Sequence, residues 1–263
     1  MKKVIVCIKE VPDAKEIEID LETGLLKREK ASSIINPSDE TALSYALELK
    51  KNHGFSIIVL SMGPKQTETV LQYILSLGFD EAFLLSDPFF SGSDTWATAF
   101  VLSEAIRFLG GADFIFFGHQ SLDGDTGQVP NETAEILQIP SFTHVLNFSY
   151  QEGKSFVCCQ FEDIIDFEAE SPFTVSFIEN EKSEFLFPEA KNYFNGEKKV
   201  QILDSSVLKT EKERVGLLGS PTQVKKVETA LFQSRTPDLF NFDSKKFKNF
   251  YSDKIFKIFE KKS

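Results

Sequence analysis

The stretch Phe114–Pro140, FIFFGHQSLDGDTGQVPNETAEILQIP, opens as an apolar strand and closes as an amphipathic helix. Between the two lies a loop of glycines, small hydroxyls and two aspartates, Asp123 and Asp125. A strand that hands over to a helix through a short loop is the unit from which parallel sheets are built, because a helix carries the chain back before the next parallel strand begins. The same unit recurs upstream. KVIVCIK (3–9) is a short buried strand by its β-branched density. In IINPSDETALSYALELKKNHG, Pro37 excludes helix before it, and Ser38 or Asp39 is placed to cap the helix that follows. Ala42, Leu43, Ala46, Leu47 and Leu49 suit one face of that helix, and Gly54 its end. FSIIVLSMG, KQTETVLQYILSLG, EAFLLS, DTWATAFVLSEAIRFLG and DFIFFG then alternate strand and helix. The pattern predicts an α/β fold: a mostly parallel sheet with helices on both faces.

From about Ser141 the rhythm changes. SFTHVLNFSY, KSFVCCQFED, DFEAE and FTVSFIE read as strands separated by turns, which predicts an antiparallel extension of the sheet. The acidic run Asp163, Asp166, Glu168 and Glu170 suits a solvated edge that resists aggregation. Beyond Pro188 the chain is irregular and mixed in charge, and it ends in a segment rich in lysine and phenylalanine.

A net charge of −11 argues against an electrostatic grip on nucleic acid or an anionic membrane. No apolar run approaches the length needed to span a bilayer, and the basic start MKKVIVCIKE lacks the long apolar core of a signal peptide. Cys7, Cys158 and Cys159 are too few and too unevenly spaced for a disulfide framework or a zinc site, and His53, His119 and His144 form no metal cluster in sequence. The expected location is the cytoplasm. Phenylalanine is over-used, 27 residues against one Trp and five Tyr, which we assign to core positions rather than to an aromatic binding surface.

In parallel sheets ligands lie beyond the carboxyl ends of the strands. Cys7–Val11, Ser61–Pro64 and Gly118–Gln128 share that edge, and Asn36–Asp39 can reach it. The loop Gly118–Gln128 lacks the Gly-Lys-Ser/Thr ending of a Walker A loop and the glycine spacing of the dinucleotide fingerprint. What it retains is generic: a strand ends, small residues turn the backbone, and a helix begins near Thr126 with free amides and a positive dipole end suited to phosphate. On spacing alone it is equally a plain connection capped by Asp125 or Thr126. No Ser–His–Asp order and no paired-carboxylate signature stands out.

Taken together and in order, VIVCIKEVPDA, INPSDETALSYALELK, VLSMGPKQTETVLQYILSLGFDEAFLLSD, GHQSLDGDTGQVPNETAEILQIP and VGLLGSPTQVKK resemble the β subunit of electron transfer flavoproteins. The resemblance covers most of residues 1–145 and returns near 215–226. It implies a Rossmann-like fold of the adenine-nucleotide alpha-hydrolase kind, in a heterodimer with an α subunit that carries a flavin. It also implies a nucleotide-binding domain at 1–203 and a C-terminal arm at 204–263 for contact with that partner. An adenine nucleotide is implied at the strand edge: FAD, since the short DGDTGQV loop looks like the electron-bifurcating and anaerobic acyl-CoA-linked type, or AMP as in the respiratory type. By position the family's nucleotide contacts fall on Cys7, Asn36, Pro37, Ser38, Asp39, Met62, Gly118, His119, Gln120, Ser121, Leu122, Asp123, Gly124, Asp125, Thr126, Gly127 and Gln128. Most would be main-chain contacts, with Asp123 and Asp125 capping the turn or facing ribose hydroxyls. The implied role is that of an electron carrier, not a stand-alone enzyme, passing electrons between a donor (a flavin-dependent dehydrogenase or NADH) and an acceptor. Two departures bear on that role. The Pro-Arg-Tyr of the family's docking loop is absent from IENEKSEFLFPEAKNYFNGEKKV, and CCQFEDIIDFEAE lacks the usual arginine and double glycine. The rival readings are a non-redox AMP-binding structural half of the heterodimer or a divergent paralogue that has lost flavin activity, and, in another class, an ATP-pyrophosphatase-like ligase. The ligase requires a Ser-Gly-Gly-x-Asp-Ser loop that CIKEVPDA does not supply.

Overall fold

The computed structural model describes residues 1–13, 18–19, 26–27, 33–180, 187–188 and 199–222. These fall within one compact unit, Met1–Lys226, and the lysine- and phenylalanine-rich end of the expected C-terminal arm lies outside the described residues. The strands are β1 (Lys3–Ile8), β2 (Glu10–Pro12), β3 (Glu18–Ile19), β4 (Leu26–Lys27), β5 (Ser33–Ile35), β6 (Ser56–Met62), β7 (Glu81–Leu85), β8 (Phe114–Gly118), β9 (Ser141–Gln151), β10 (Lys154–Gln160), β11 (Ile164–Ala169), β12 (Phe173–Phe177) and β13 (Gln201–Leu203). The principal helices are α1 (Pro37–His53), α2 (Glu68–Ser76), α3 (Thr95–Phe108) and α4 (Val129–Leu137).

Nine strands form the main sheet in the order β11-β10-β9-β12-β8-β1-β6-β7-β13. The pairs from β9 through β13 are parallel, and β10 and β11 run antiparallel to their neighbours. Strand side chains alternate between faces, so each central strand feeds two cores. Val4, Val6, Val59 and Phe116 pack with α1 and α2 on one side, while Ile5, Cys7, Leu60 and Phe117 pack with α3 on the other. Many of the phenylalanines do fill the core, where Phe114 stacks on Phe55 and Phe116 and meets Phe148 and Phe173 edge-on or tilted, but Phe89, Phe108, Phe156, Phe161 and Phe187 are exposed.

Three expectations need correction. FTVSF is not part of an antiparallel extension: it is β12, parallel and inserted between β8 and β9. All five of its residues are buried, which only an internal strand covered on both faces can satisfy. Ser38 and Asp39 lie inside the first turn of α1, whose N-cap is Asn36 with no side-chain cap bond, because Pro37 occupies the first helical position. Helix α4 starts at Val129 rather than near Thr126, with Pro130 in its first turn. The acidic strand β11 does form an exposed edge of the sheet.

The order of the strands positions the site. The chain runs β1, β6, β7 in one direction, then crosses back to lay β8 on the other side of β1. Between β1 and β8 the connections leave in opposite directions and open a crevice at the carboxyl ends.

Candidate functional site

One buried carboxylate closes the base of this crevice. Asp39 Oδ2 accepts the Lys9 amide at 2.7 Å and Oδ1 accepts the Gly118 amide at 2.9 Å, so the first turn of α1 ties together the ends of β1 and β8. Burial pushes the Asp39 carboxyl up to about 7, outweighing the opposing pull of the Lys9 and Gly118 amides and of Asn36. Asn36 is also buried and works as a surrogate strand edge. Its Nδ2 donates to the Gln120 carbonyl at 2.9 Å, and its Oδ1 accepts the Leu122 amide at 3.1 Å. Ser38 Oγ donates to the same Gln120 carbonyl at 2.9 Å. Helix capping was therefore the wrong reading of Ser38 and Asp39, because Ser38 is spent on the β8–α4 loop and Asp39 on the ends of β1 and β8. Only glycine fits at 118: a Cβ there would lie 2.2 Å from Asp39 Oδ1, 2.4 Å from Ser38 Oγ and 2.7 Å from the Asp39 amide nitrogen.

The loop beyond is shaped by two residues at positive φ, Asp125 at 52° and Gly127 at 62°. The Asp125 amide closes the turn by donating to the Ser121 carbonyl at 2.8 Å. Asp123 leans out of the loop to meet Lys9 Nζ at 2.7 Å. Burial alone would raise its carboxyl, but the Lys9 ammonium and the Ser121 hydroxyl outweigh burial and hold it below the usual range. Among the described residues no protein acceptor meets the main-chain amides of Thr126, Gly127 and Gln128.

The crevice widens into a cleft of about 1010 Å³. Of the sequence-derived residues, Cys7, Asn36, Asp39, Met62, Gly118, His119, Gln120, Ser121, Gly124, Thr126, Gly127 and Gln128 line it. Pro37, Ser38, Leu122 and Asp125 instead border a smaller hollow of about 240 Å³, and Asp123 borders neither. His119 touches both spaces. Its ring lies 4.0 Å from that of His144, centroid to centroid, and its Nδ1 is buried with no hydrogen-bond partner. Burial, followed by the His144 ring, lowers the His119 pKa against the pull of Asp125, which favours the neutral imidazole.

The opposite wall of the cleft is the β7–α3 connection, Ser86–Asp94, continued by Thr95, Thr98 and Leu102 of α3 and joined by Thr222. Asp87 anchors this connection by accepting the Phe89 amide at 2.8 Å and the Ser205 amide at 3.0 Å.

Comparison with known proteins decides what this architecture belongs to. Residues 23–170 match the electron transfer flavoprotein domain. The electron transfer flavoprotein subunit beta of Thermoanaerobacterium thermosaccharolyticum is 41% identical over 84% of this chain and 85% of its own length. The caffeyl-CoA reductase-Etf complex subunit CarD of Acetobacterium woodii is 36% identical over 84% of this chain and 86% of its own length. Protein FixA of Azotobacter vinelandii is 33% identical over 97% and 94%. The chain belongs to the electron transfer flavoprotein β-subunit family. The likeness to subunits from anaerobic clostridial bacteria agrees with the short DGDTGQV loop.

The matched electron transfer flavoprotein domain contains the walls at Asn36–Asp39, Gly118–Gln128 and Ser86–Asp94, while β1 and Thr222 lie outside it. The sequence reading placed Lys9 only as part of the Cys7–Val11 loop, with no role of its own, and missed the whole Ser86–Asp94 wall and Thr222. A signal for that wall was present: SDPFFSGSDT is a strand-to-helix connection rich in small and polar residues, and by the carboxyl-edge rule it shares the rim with the other three. Thr222 carried no such signal, because only tertiary folding returns it to the cleft. Among the described residues no helix is long and apolar enough to cross a membrane.

Proposed function

We propose that the cleft between β1 and β8 holds FAD, with AMP as the alternative occupant. In this reading the β subunit acts beside a flavin-bearing α subunit, in the cytoplasm, as a carrier between a donor (a flavin-dependent dehydrogenase or NADH) and an acceptor. The observation that carries it is the extent of the cleft. At about 1010 Å³ it stands at the top of the range of roughly 300–1,000 Å³ usual for small-molecule sites, and it continues past the phosphate loop to the β7–α3 wall. A cleft of that extent favours a dinucleotide over an adenosine monophosphate.

The donor set fits the anionic part of such a ligand. Thr126, Gly127 and Gln128 offer main-chain amides just ahead of α4, where the helix dipole adds positive potential. Gly124 leaves the backbone open, since a Cβ there would meet only Ser121 Oγ at 3.4 Å. Asn36, Ser38 and Asp39 fix the loop that presents these amides. Asp123 is held by Lys9 and so keeps its charge away from the phosphates. Bound FAD would supply the electron-transfer chemistry through its isoalloxazine, leaving the protein to bind, orient and exclude water. The three cysteines are free, as suits a reducing compartment. The names of the relatives, among them a caffeyl-CoA reductase-Etf complex subunit, support a place in an acyl-CoA-linked redox complex.

The test is co-expression with a candidate α subunit, heat release of bound nucleotide, and its identification by chromatography. Two FAD per heterodimer supports the reading, one FAD plus AMP supports the alternative occupant, and a nucleotide-free β subunit defeats both. Gly124→Val is expected to empty the β site while the circular dichroism spectrum and melting temperature stay unchanged.

A further inference from the structure

The wall of the cleft opposite the phosphate loop is closed by a segment distant in sequence. Residues 212–222 fold back onto the β7–α3 connection through contacts at both of their ends. At the start, Arg214 lays its guanidinium 3.9 Å from the centroid of the Phe100 ring, and the Gly216 amide donates to Ser93 Oγ at 3.1 Å. Val215 is buried, but Leu217 and Leu218 are 57% and 79% exposed, so beyond Val215 hydrogen bonds rather than apolar burial hold the segment down. Those bonds converge on one residue. The Asp94 amide donates to Ser220 Oγ at 2.8 Å. Asp94 Oδ2 accepts both the Thr222 amide at 2.8 Å and the Thr222 hydroxyl at 2.7 Å, and Oδ1 caps α3 by accepting the Ala97 amide at 3.0 Å. Asp94 and Thr222 both line the cleft.

We infer that Asp94 is a positioning residue that latches Ser220–Thr222 to the N-terminus of α3 and so retains the nucleotide behind the closed far wall. The inference rests on the reading of the cleft as a nucleotide site. Its physical content is linkage. A ligand that touches the far wall in its closed form favours that form over an open one, and loosening the wall speeds release without altering the phosphate loop. The two carboxylate oxygens of Asp94 have separate tasks, which makes the latch separable from the helix cap. In Asp94→Asn one oxygen remains for Ala97, while an NH₂ group faces the Thr222 amide, donor against donor.

The experiment compares the wild-type 263-residue chain with Asp94→Asn and Thr222→Val, each loaded with FAD. Dissociation of FAD and hydrogen exchange across residues 212–222 are followed, with β1 and β6 as internal references. The expected result has three parts. FAD slows exchange in 212–222 of the wild type. Asp94→Asn abolishes that protection and releases FAD about tenfold faster, the effect of one lost charge-assisted bond. Thr222→Val, which keeps the main-chain donor, falls between the two. Equal release rates in all three proteins overturn the latch and leave the nucleotide reading standing. Loss of protection in β1 and β6 along with 212–222, in both variants, also overturns it, since Asp94 would then support the fold at large. A wild-type chain that binds neither FAD nor AMP overturns the latch together with the reading beneath it.

Discussion

The two walls of the cleft are held by different means. The wall formed by the β8–α4 loop is pinned from beneath by Asn36, Ser38 and Asp39, three buried side chains that hydrogen-bond the backbone at Lys9, Gly118, Gln120 and Leu122. The far wall is a connection between β7 and α3, secured by aspartates at its two ends and by a returning segment whose leucines face solvent. A buried polar group left without its partner costs far more than an exposed one. The first wall is therefore coupled to the stability of the whole sheet, and the second opens at local expense.

The largest expected effect lies at Gly118. An alanine Cβ would stand 2.7 Å from the Asp39 amide nitrogen as well as against two side-chain oxygens, so relief requires backbone movement in α1 or β8. Gly118→Ala is expected to cost about 3 kcal/mol of stability, at the upper end for overpacking, and to empty the cleft. Urea unfolding measures the first effect and nucleotide content the second. A stable, nucleotide-loaded variant would mean that the two strand ends are not locked as described.

Asp39→Asn comes next. Asparagine has one acceptor oxygen for two buried amides, at a cost of about 2 kcal/mol. The wild type also carries a pH signature. The Asp39 carboxyl titrates at about 7 when folded, against an ordinary value of 3.8, so between those limits the folded state takes up a proton that the unfolded state has lost. The contribution of this group is complete below about pH 4 and is lost as pH rises through 7. The urea midpoint of wild type minus that of Asp39→Asn, measured from pH 4.5 to 8, is expected to fall over that range. A flat difference would mean that the carboxylate is as easily ionised folded as unfolded.

The far wall responds on a smaller scale. Gly216 sits at φ 59°, and a Cβ there would fall 2.1 Å from the Phe89 carbonyl oxygen. Gly216→Ala is expected to free residues 212–222 at a local cost of about 1–2 kcal/mol, seen as faster hydrogen exchange there, while the urea midpoint of the sheet barely moves. If global stability fell as far as in Gly118→Ala, the contrast between the walls would be lost.

The same contrast explains how much could be read from the sequence. Alternating buried strands and amphipathic helices such as KVIVCI and ETALSYALELK carry their fold in local periodicity, and the place of the β8–α4 loop at the carboxyl edge follows from its position after a strand. β12 was misplaced because the alternation Phe-Thr-Val-Ser-Phe fits a half-buried strand of an antiparallel extension, although all five residues are buried, and pairing partners are not written locally. Ser38 and Asp39 were located but misassigned as caps, because capping is the commonest use of such residues near a helix start, and the groups they bond instead, at Lys9, Gly118 and Gln120, are brought to them only by tertiary folding. Thr222 was beyond reach for the same reason.

The smallest effect concerns Lys9 and Asp123, the one ion pair on the β8–α4 loop wall among the described residues. Their ammonium and carboxylate meet at 2.7 Å, but the side chains are 47% and 33% exposed. At that exposure the attraction is screened by water, and ordering a lysine side chain offsets much of the rest. If the buried bonds from Asn36 and Ser38 hold the loop, Lys9→Met and Asp123→Asn should each shift stability by less than about 1 kcal/mol. The double variant should then cost no more than either single one. The shift should vanish in 1 M salt, where the screening length is about 3 Å. It should also disappear as pH falls through the depressed Asp123 pKa, since the pair stabilises only while that carboxylate is ionised. A loss of several kcal/mol that resists salt would reverse the assignment, making the ion pair rather than the buried amide of Asn36 the main restraint on the loop.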